Sequence, residues 1–397
     1  MKRIKTIVSL LLTVLLLISI VGCSGKSDDA KKDSDDKKED TKKEEVVEEK
    51  AEEKAEEKEE KEEEKAEEKA EEKEEKEEAE EDSSDFTKGA DIVAPEGKVL
   101  RSLPVDQKAE EKIRIASICV QNNPWGAAVV VGQEFAKEVL ADRNCVVDVI
   151  AVKSFDAMEW VSAIDNCTAS GYDAICIFGV SDELNDSVNK AIEAGIEIYT
   201  FNGDLPDTER IAWYGMDDYA AGNVAGEAIV EALPDGGKYA IITGRFSVYG
   251  HEKRRTGCRD ITDEVESLNL VGEYENDDDA DTAYNLTTDL INANPDLSAL
   301  YVTAGGPGGA AQAIIDAGKS GEITLICHDV LSAVADYIED GTISVCIDQD
   351  PFNQGYQPVV DAYNSLVAGV VPQEMNAYDA VIANPDNVKS LFPELYE

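Results

Sequence analysis

The chain of 397 residues has two histidines, His251 and His328, and only 6% aromatic residues. Two histidines exclude a histidine-rich metal centre. The eight cysteines include no Cys-x-x-Cys pair and no zinc-type spacing, so they make no zinc site. Basic residues are scarce: 37 Lys and Arg stand against 85 Asp and Glu, a formal charge of −48. Such acidity repels phosphate backbones and excludes a nucleic-acid partner. Beyond Val21, no apolar run is long enough to span a bilayer.

What is present begins with an export signal. Lys2, Arg3 and Lys5 precede an apolar run at 7–21 that is too short and wrongly flanked for a membrane span. The run closes on Ile20-Val21-Gly22-Cys23, which resembles a bacterial lipobox. Residues 1–22 are therefore expected to be removed as a signal peptide. Lipidated Cys23 is expected to hold the protein to the membrane by its acyl chains.

A low-complexity stretch follows. Residues 44–82 hold 24 acids and eight lysines, with no glycine or proline and almost nothing apolar, so they cannot build a core. The lysines at 50, 54, 58, 61, 65, 69, 73 and 76 recur about once per helical turn, and Glu57 with Lys61 has the favoured i, i+4 order. No apolar seam supports a coiled coil. A partly helical solvated stalk and a disordered charged linker both stay open. Residues 23–111 are read as the lipidated cysteine and this stalk, which sets a folded domain away from the membrane.

From Lys112 the pattern alternates. Apolar, β-rich segments at 114–120, 146–152, 174–178 and 196–201 are separated by helical patterns at 127–140, 158–170 and 184–194. After Met216 the alternation restarts, with strands expected at 239–243, 270–274, 299–303 and 324–327. Helices are expected at 220–233, 252–266, 282–293 and 310–317. This predicts an α/β fold of two doubly wound parallel-sheet lobes, with ligands beyond the carboxyl ends of the strands. Cys119, Cys176, Cys327 and Cys346 lie inside apolar runs and read as small buried hydrophobes. The seven cysteines after Cys23 are odd in number, so at least one is unpaired within the chain.

The polar residues at the strand ends carry a resemblance. The first strand ends in Gln121-Asn122-Asn123-Pro124-Trp125 and the fourth in Thr200-Phe201-Asn202-Gly203-Asp204. Tyr214-Gly215-Met216-Asp217-Asp218-Tyr219-Ala220-Ala221-Gly222 leads into the second half. Arg254-Arg255-Thr256-Gly257, Ile326-Cys327-His328-Asp329 and Gln349-Asp350-Pro351 with Gly355 follow in order. Over 112–397 this series resembles the ribose-type periplasmic sugar-binding proteins, of the type I periplasmic binding protein fold. The resemblance implies a three-strand hinge, crossed near 215–217, Gln349 and Tyr378. One lobe would be 112–216 with 350–378, the other 217–349 with 379–397.

By that resemblance, Asn123, Trp125, Phe178, Asn202, Asp204, Arg254, Asp329 and Gln349 are the expected ligand-binding residues. Their chemistry suits a sugar. Planar Asp, Asn, Gln and Arg groups bond adjacent hydroxyls, and an aromatic ring covers the C–H face. Asp204 also reads as a turn residue and Phe178 as core packing. The resemblance further implies a monomer that captures a sugar and delivers it to the membrane permease of an ABC-type importer, with no cofactor, metal or catalytic residue. Two departures bear on the ligand. The loop Ala304-Gly305-Gly306-Pro307-Gly308-Gly309 stands where the family often has Asn-Asp, and Asp277-Asp278-Asp279-Ala280-Asp281 where it often has a second aromatic. Both argue against plain ribose and leave room for a larger or modified ligand.

Other readings fit less well. A sensor subunit, presenting a sugar or signal molecule to a histidine kinase or chemoreceptor, would use the same closure. A lactose-repressor-type regulator would need an N-terminal helix-turn-helix where this chain has a signal and stalk. Cys327, His328 and Asp329 are consecutive on a strand, so their alternating faces exclude a triad. Asp277, Asp279 and Asp281 begin like a calcium loop, but Thr282 and Thr288 stand where Gly and Glu are required. The glycine loop has no following Lys-Ser/Thr for a phosphate cradle.

Overall fold

The structure is a computed structural model and describes residues 86–122 and 124–396. The signal, Cys23, the stalk as far as residue 85, and Asn123 lie outside the described residues.

The first half runs β1 (Ile113–Val120), α1 (Pro124–Leu140), β2 (Cys145–Val152), α2 (Ala157–Ala169), β3 (Ala174–Phe178), α3 (Asn185–Glu193), β4 (Glu197–Phe201) and β5 (Ala212–Met216). The second continues with α4 (Asp218–Ala232), β6 (Gly237–Thr243), α5 (Tyr249–Thr262), β7 (Leu268–Glu275) and α6 (Ala280–Ala293). Then come β8 (Leu297–Val302), α7 (Pro307–Asp316), β9 (Thr324–His328), α8 (Ser332–Glu339) and β10 (Val345–Asp348). The chain ends with α9 (Pro351–Ala368), β11 (Met375–Tyr378), β12 (Val381–Ala383) and α10 (Val388–Leu391).

These strands make two six-stranded sheets, ordered β11-β5-β4-β3-β1-β2 and β12-β10-β9-β8-β6-β7. All pairs are parallel except β10 with β12. Strands covered by helices on both faces need apolar side chains on both, which is why β3, Ala-Ile-Cys-Ile-Phe, is buried throughout. The chain passes between sheets three times: from β5 to α4, from β10 to α9, and from β11 to β12. The seven cysteines after Cys23 are free and buried, and burial pushes the Cys145 thiol up to about 12.

Local chemistry fixes the helix that faces the cleft. Asp217 caps α4, accepting from the backbone N–H groups of Tyr219 and Ala220, each at 3.0 Å. Helices α4 and α5 then touch backbone to backbone. A β-carbon on Gly222 would sit 2.2 Å from the Arg254 carbonyl oxygen, and one on Gly257 2.3 Å from that of Tyr219. Only glycine permits this approach, and it sets where Arg254 stands.

The stalk was expected to reach residue 111, but 86–109 forms a strap on the first lobe. Its carbonyls at Thr87 and Val105 accept from the buried guanidinium of Arg143, the latter at 2.6 Å. Ser102 and Val105 bond Asp361 and Asn364 on α9. Arg101 reaches Asp350 at 2.7 Å and stacks 4.2 Å from the Tyr378 ring, both at chain crossings. Lys98 pairs with Glu394 at 2.9 Å, on the segment that packs with the second lobe. A chain starting at residue 112 strips Arg143 of both acceptors. Its thermal midpoint is expected below that of a chain starting at residue 86, by about 3 kcal/mol or more of stability. Equal midpoints would show that the strap contributes nothing.

Candidate functional site

Four polar side chains meet where the strand ends face one another. Asn202 follows β4 and Asp329 follows β9, with φ of 58° and 68°. Asn and Asp tolerate this left-handed conformation, and it turns both residues out of their strands. Backbone bonds hold it: Asn202 donates to the Tyr214 carbonyl at 2.8 Å, and Asp329 to that of Ile347 at 3.0 Å. Gln349 lies on the crossing from β10 to α9. Its Oε1 accepts from Asn202 Nδ2 at 2.7 Å and Arg254 at 2.9 Å, and its Nε2 donates to Asp329 Oδ1 at 2.7 Å. One amide thus ties the first lobe to the second.

Arg254 is anchored from behind. Its Nε donates to Asp218 Oδ1 at 2.7 Å and one terminal nitrogen to the Thr303 carbonyl at 3.1 Å. Three of its five N–H groups are used in these contacts, which leaves two further donors on a fixed plane. Burial works against its charge, but the carboxylates of Asp218 and Asp329 outweigh that and hold the guanidinium's pKa up. Asp329 is pushed up to about 6, mainly by burial, with Arg254 opposing.

These groups line a cavity of about 290 Å³ between the lobes. Trp125, Phe155 and Phe178 form its wall on the first lobe, in edge-to-face pairs with centroids 5.4 Å and 5.8 Å apart. The Phe155 ring meets His251 of the second lobe at 6.0 Å, so the lobes touch beside the cavity. The Trp125 Nε1 donor is buried with no partner among the described residues. Opposite stand His251, His328 and Asp278. His251 Nδ1 accepts from the Arg245 backbone N–H, so a neutral ring carries its proton on Nε2. Burial lowers the pKa of both histidines. Asp278 Oδ1 accepts from Gly305 N–H at 2.7 Å, while its Oδ2 has no partner among the described residues.

The arrangement mixes fixed donors with fixed acceptors and adds an aromatic wall of edge-to-face rings. That is what a small polyol needs, and it contains no nucleophile held by a base. Cys327 lies buried in the strand core, and His328 Nε2 is engaged with the Tyr301 hydroxyl at 2.7 Å.

A sequence profile described as a periplasmic binding protein domain matches residues 116–369. The chain belongs to that family. Among curated proteins, this periplasmic binding protein is 24% identical to the D-ribose/D-allose-binding protein of Pseudomonas aeruginosa, over 71% of this chain and 90% of that one. It is 22% identical to the ribose import binding protein RbsB of Escherichia coli, over 66% and 88%. Among solved structures, a glucose-galactose binding protein from Geobacillus stearothermophilus shares its fold, at TM-score 0.63 and 22% identity over 70% and 99% of the two chains. So does an ABC-transporter solute-binding protein from Burkholderia graminis solved with D-arabinose, at TM-score 0.66 and 20% identity over 72% and 99%.

Of the residues singled out from sequence, Trp125, Phe178, Asn202, Arg254, Asp329 and Gln349 all line the cavity of this binding protein. Asp204 does not. Both of its carboxylate oxygens are held by Arg210, at 2.6 Å and 2.7 Å, and it serves as a loop brace. Phe178 both lines the cavity and packs in the core, since Trp160 meets its ring behind the wall. Phe155, His251, His328, Asp278 and Tyr337 also line the cavity and were not assigned to it from sequence. Among the described residues no cluster of three or more His, Cys, Asp or Glu could hold a metal ion.

Proposed function

We propose that this protein is an extracytoplasmic solute-binding protein that closes its lobes on a neutral sugar and delivers it to an ABC-type importer without chemical turnover. The observation that carries the reading is the Asn202–Gln349–Arg254–Asp329 network, which joins both lobes across an aromatic-walled cavity. Related proteins named for binding ribose, allose and xylose support the ligand class. The sugar's hydroxyls bond to Arg254, Asp329 and Asn202, and Trp125 covers its C–H face. Closure follows because only the closed form presents both sets of contacts at once. Cys23 is the proposed lipid anchor, and the acidic stalk spaces the domain from the membrane.

A calorimetric and thermal-shift panel of pentoses and hexoses tests the reading. A sugar at 100 times its Kd should add about 2.7 kcal/mol of stability. Trp125→Ala removes the covering ring and should weaken binding of that sugar about 10- to 100-fold. A panel in which amino acids or nucleosides bind and no sugar does would keep the fold and overturn the ligand class.

A further inference from the structure

His251 stands in the first turn of α5, three residues before Arg254, and that spacing puts both side chains on one face of the helix. Glycine brings this turn against the polar network. A β-carbon on Gly250 would sit 2.7 Å from Asp218 Oδ2 and 3.7 Å from Asn202 Oδ1. The His251 side chain lines the cavity, yet the residue is only 9% exposed.

The ring and its proton are both fixed. Nδ1 accepts from the Arg245 backbone N–H at 3.1 Å. A β-carbon on Gly244 would lie 2.5 Å from that same Nδ1 and 2.5 Å from Asp278 Oδ1, so this edge of the ring is pressed against the backbone. Asp278 Oδ1 is committed to the Gly305 N–H at 2.7 Å. The Phe155 ring of the first lobe meets His251 edge to face, with the planes 72° apart. With Nδ1 accepting, the ring carries a donor at Nε2. That donor has no partner among the described residues. His328 differs, since its Nε2 meets the Tyr301 hydroxyl at 2.7 Å. Trp125 Nε1 and His328 Nδ1 are also unpartnered, but protein atoms seal both off, whereas His251 Nε2 is not sealed.

Resting on the sugar-binding reading, we infer that His251 is a specificity-determining residue that donates from Nε2 to a hydroxyl oxygen of the sugar. Arg254 and His251, one helical turn apart, then both present donors from the second lobe. The His251 donor is neutral and single, so it reads one oxygen. A sugar lacking that hydroxyl would leave the Nε2–H unpaired in a closed cavity, which is how a site built for a hydroxyl rejects its deoxy analogue.

Calorimetry on the full chain starts from D-ribose, D-xylose, D-glucose, D-galactose and D-allose, and takes the tightest binder forward with its monodeoxy analogues. His251→Phe keeps a ring against Phe155 and removes the donor, so affinity should fall about tenfold. His251→Gln gives up the ring but can place an amide nitrogen near the Nε2 position, and should bind within about threefold of the parent. A packing role for His251 predicts the reverse order. One monodeoxy analogue should bind the parent about tenfold more weakly than the full sugar, and His251→Phe should not distinguish the two. Phenylalanine also strips the Arg245 N–H of its acceptor. His251→Asn keeps an acceptor there, offers nothing at the Nε2 position, and should show the same loss if the Phe variant folds poorly. Parent-like affinity in the Phe or Asn variant, or a loss in His251→Gln as deep as in His251→Phe, overturns the inference and leaves the sugar reading standing. Binding of no sugar by the parent overturns both.

Discussion

Arg254→Met is expected to abolish sugar binding and to lower folding stability by about 3 kcal/mol. The two effects have different origins. Binding fails because Arg254 supplies donors on a plane fixed by Asp218, the Thr303 carbonyl and Gln349. Stability falls because Asp218 is buried and loses the only cation paired with it among the described residues, Arg254 at 2.7 Å. Stranding one member of a buried pair costs about 3–5 kcal/mol. Asp218 opens α4, where the helix N-terminus favours negative charge, so the lower figure applies. The double variant Arg254→Met/Asp218→Asn separates the effects: it should regain most of the stability and none of the affinity. Denaturant titration and calorimetry on the three proteins read both quantities. Unchanged affinity in Arg254→Met would remove the network as the site.

The strand-end residues were legible because parallel topology sends every carboxyl end to one side. Asn202, Arg254, Asp329 and Gln349 are distant in sequence and were marked by the resemblance of their motifs; alternation located β4 and β9, which Asn202 and Asp329 follow, but not β10, which Gln349 follows. Asn202 and Asp329 carried a further signal, since a lone Asn or Asp after a buried strand suits a left-handed exit. Phe155 and His251 were not legible. Phe155 sits on the loop after β2 and His251 in the first turn of α5, and no periodicity says which of these residues turns inward. Asp204 misled for the same reason: its partner Arg210 lies across an irregular loop. The strap was hidden because its partners, Arg143, Asp350, Asp361 and Asn364, are tertiary neighbours that composition cannot reveal. Strand β5 was read as a crossing rather than a strand, being short and ending at the hinge itself.

Acidification from pH 8 to pH 5.5 is expected to stabilise the folded protein and weaken its hold on the sugar. Asp329 is pushed up to about 6 and Asp348 to about 7, in both cases chiefly by burial. Both lie above the ordinary aspartate value, so the folded state binds these protons more tightly than the unfolded chain. The stability they contribute is complete below about pH 4 and is lost as pH rises through 6 and 7. Shifts of about two and three units correspond to about 3 and 4 kcal/mol. Asp348→Asn should therefore flatten the dependence of the thermal midpoint on pH, although the acidic surface still contributes a background slope in both proteins. Ligand affinity runs the other way. In the proposed complex a sugar hydroxyl donates to the Asp329 carboxylate, so binding is expected to favour the ionised form and to tighten between pH 5 and pH 7. Asp329→Asn keeps an oxygen to accept from Gln349 Nε2 but cannot titrate. Its affinity should be weaker and flat across that window. A parent-like pH slope in Asp329→Asn would mean that another group controls capture, with His251, whose pKa burial lowers, the next to test.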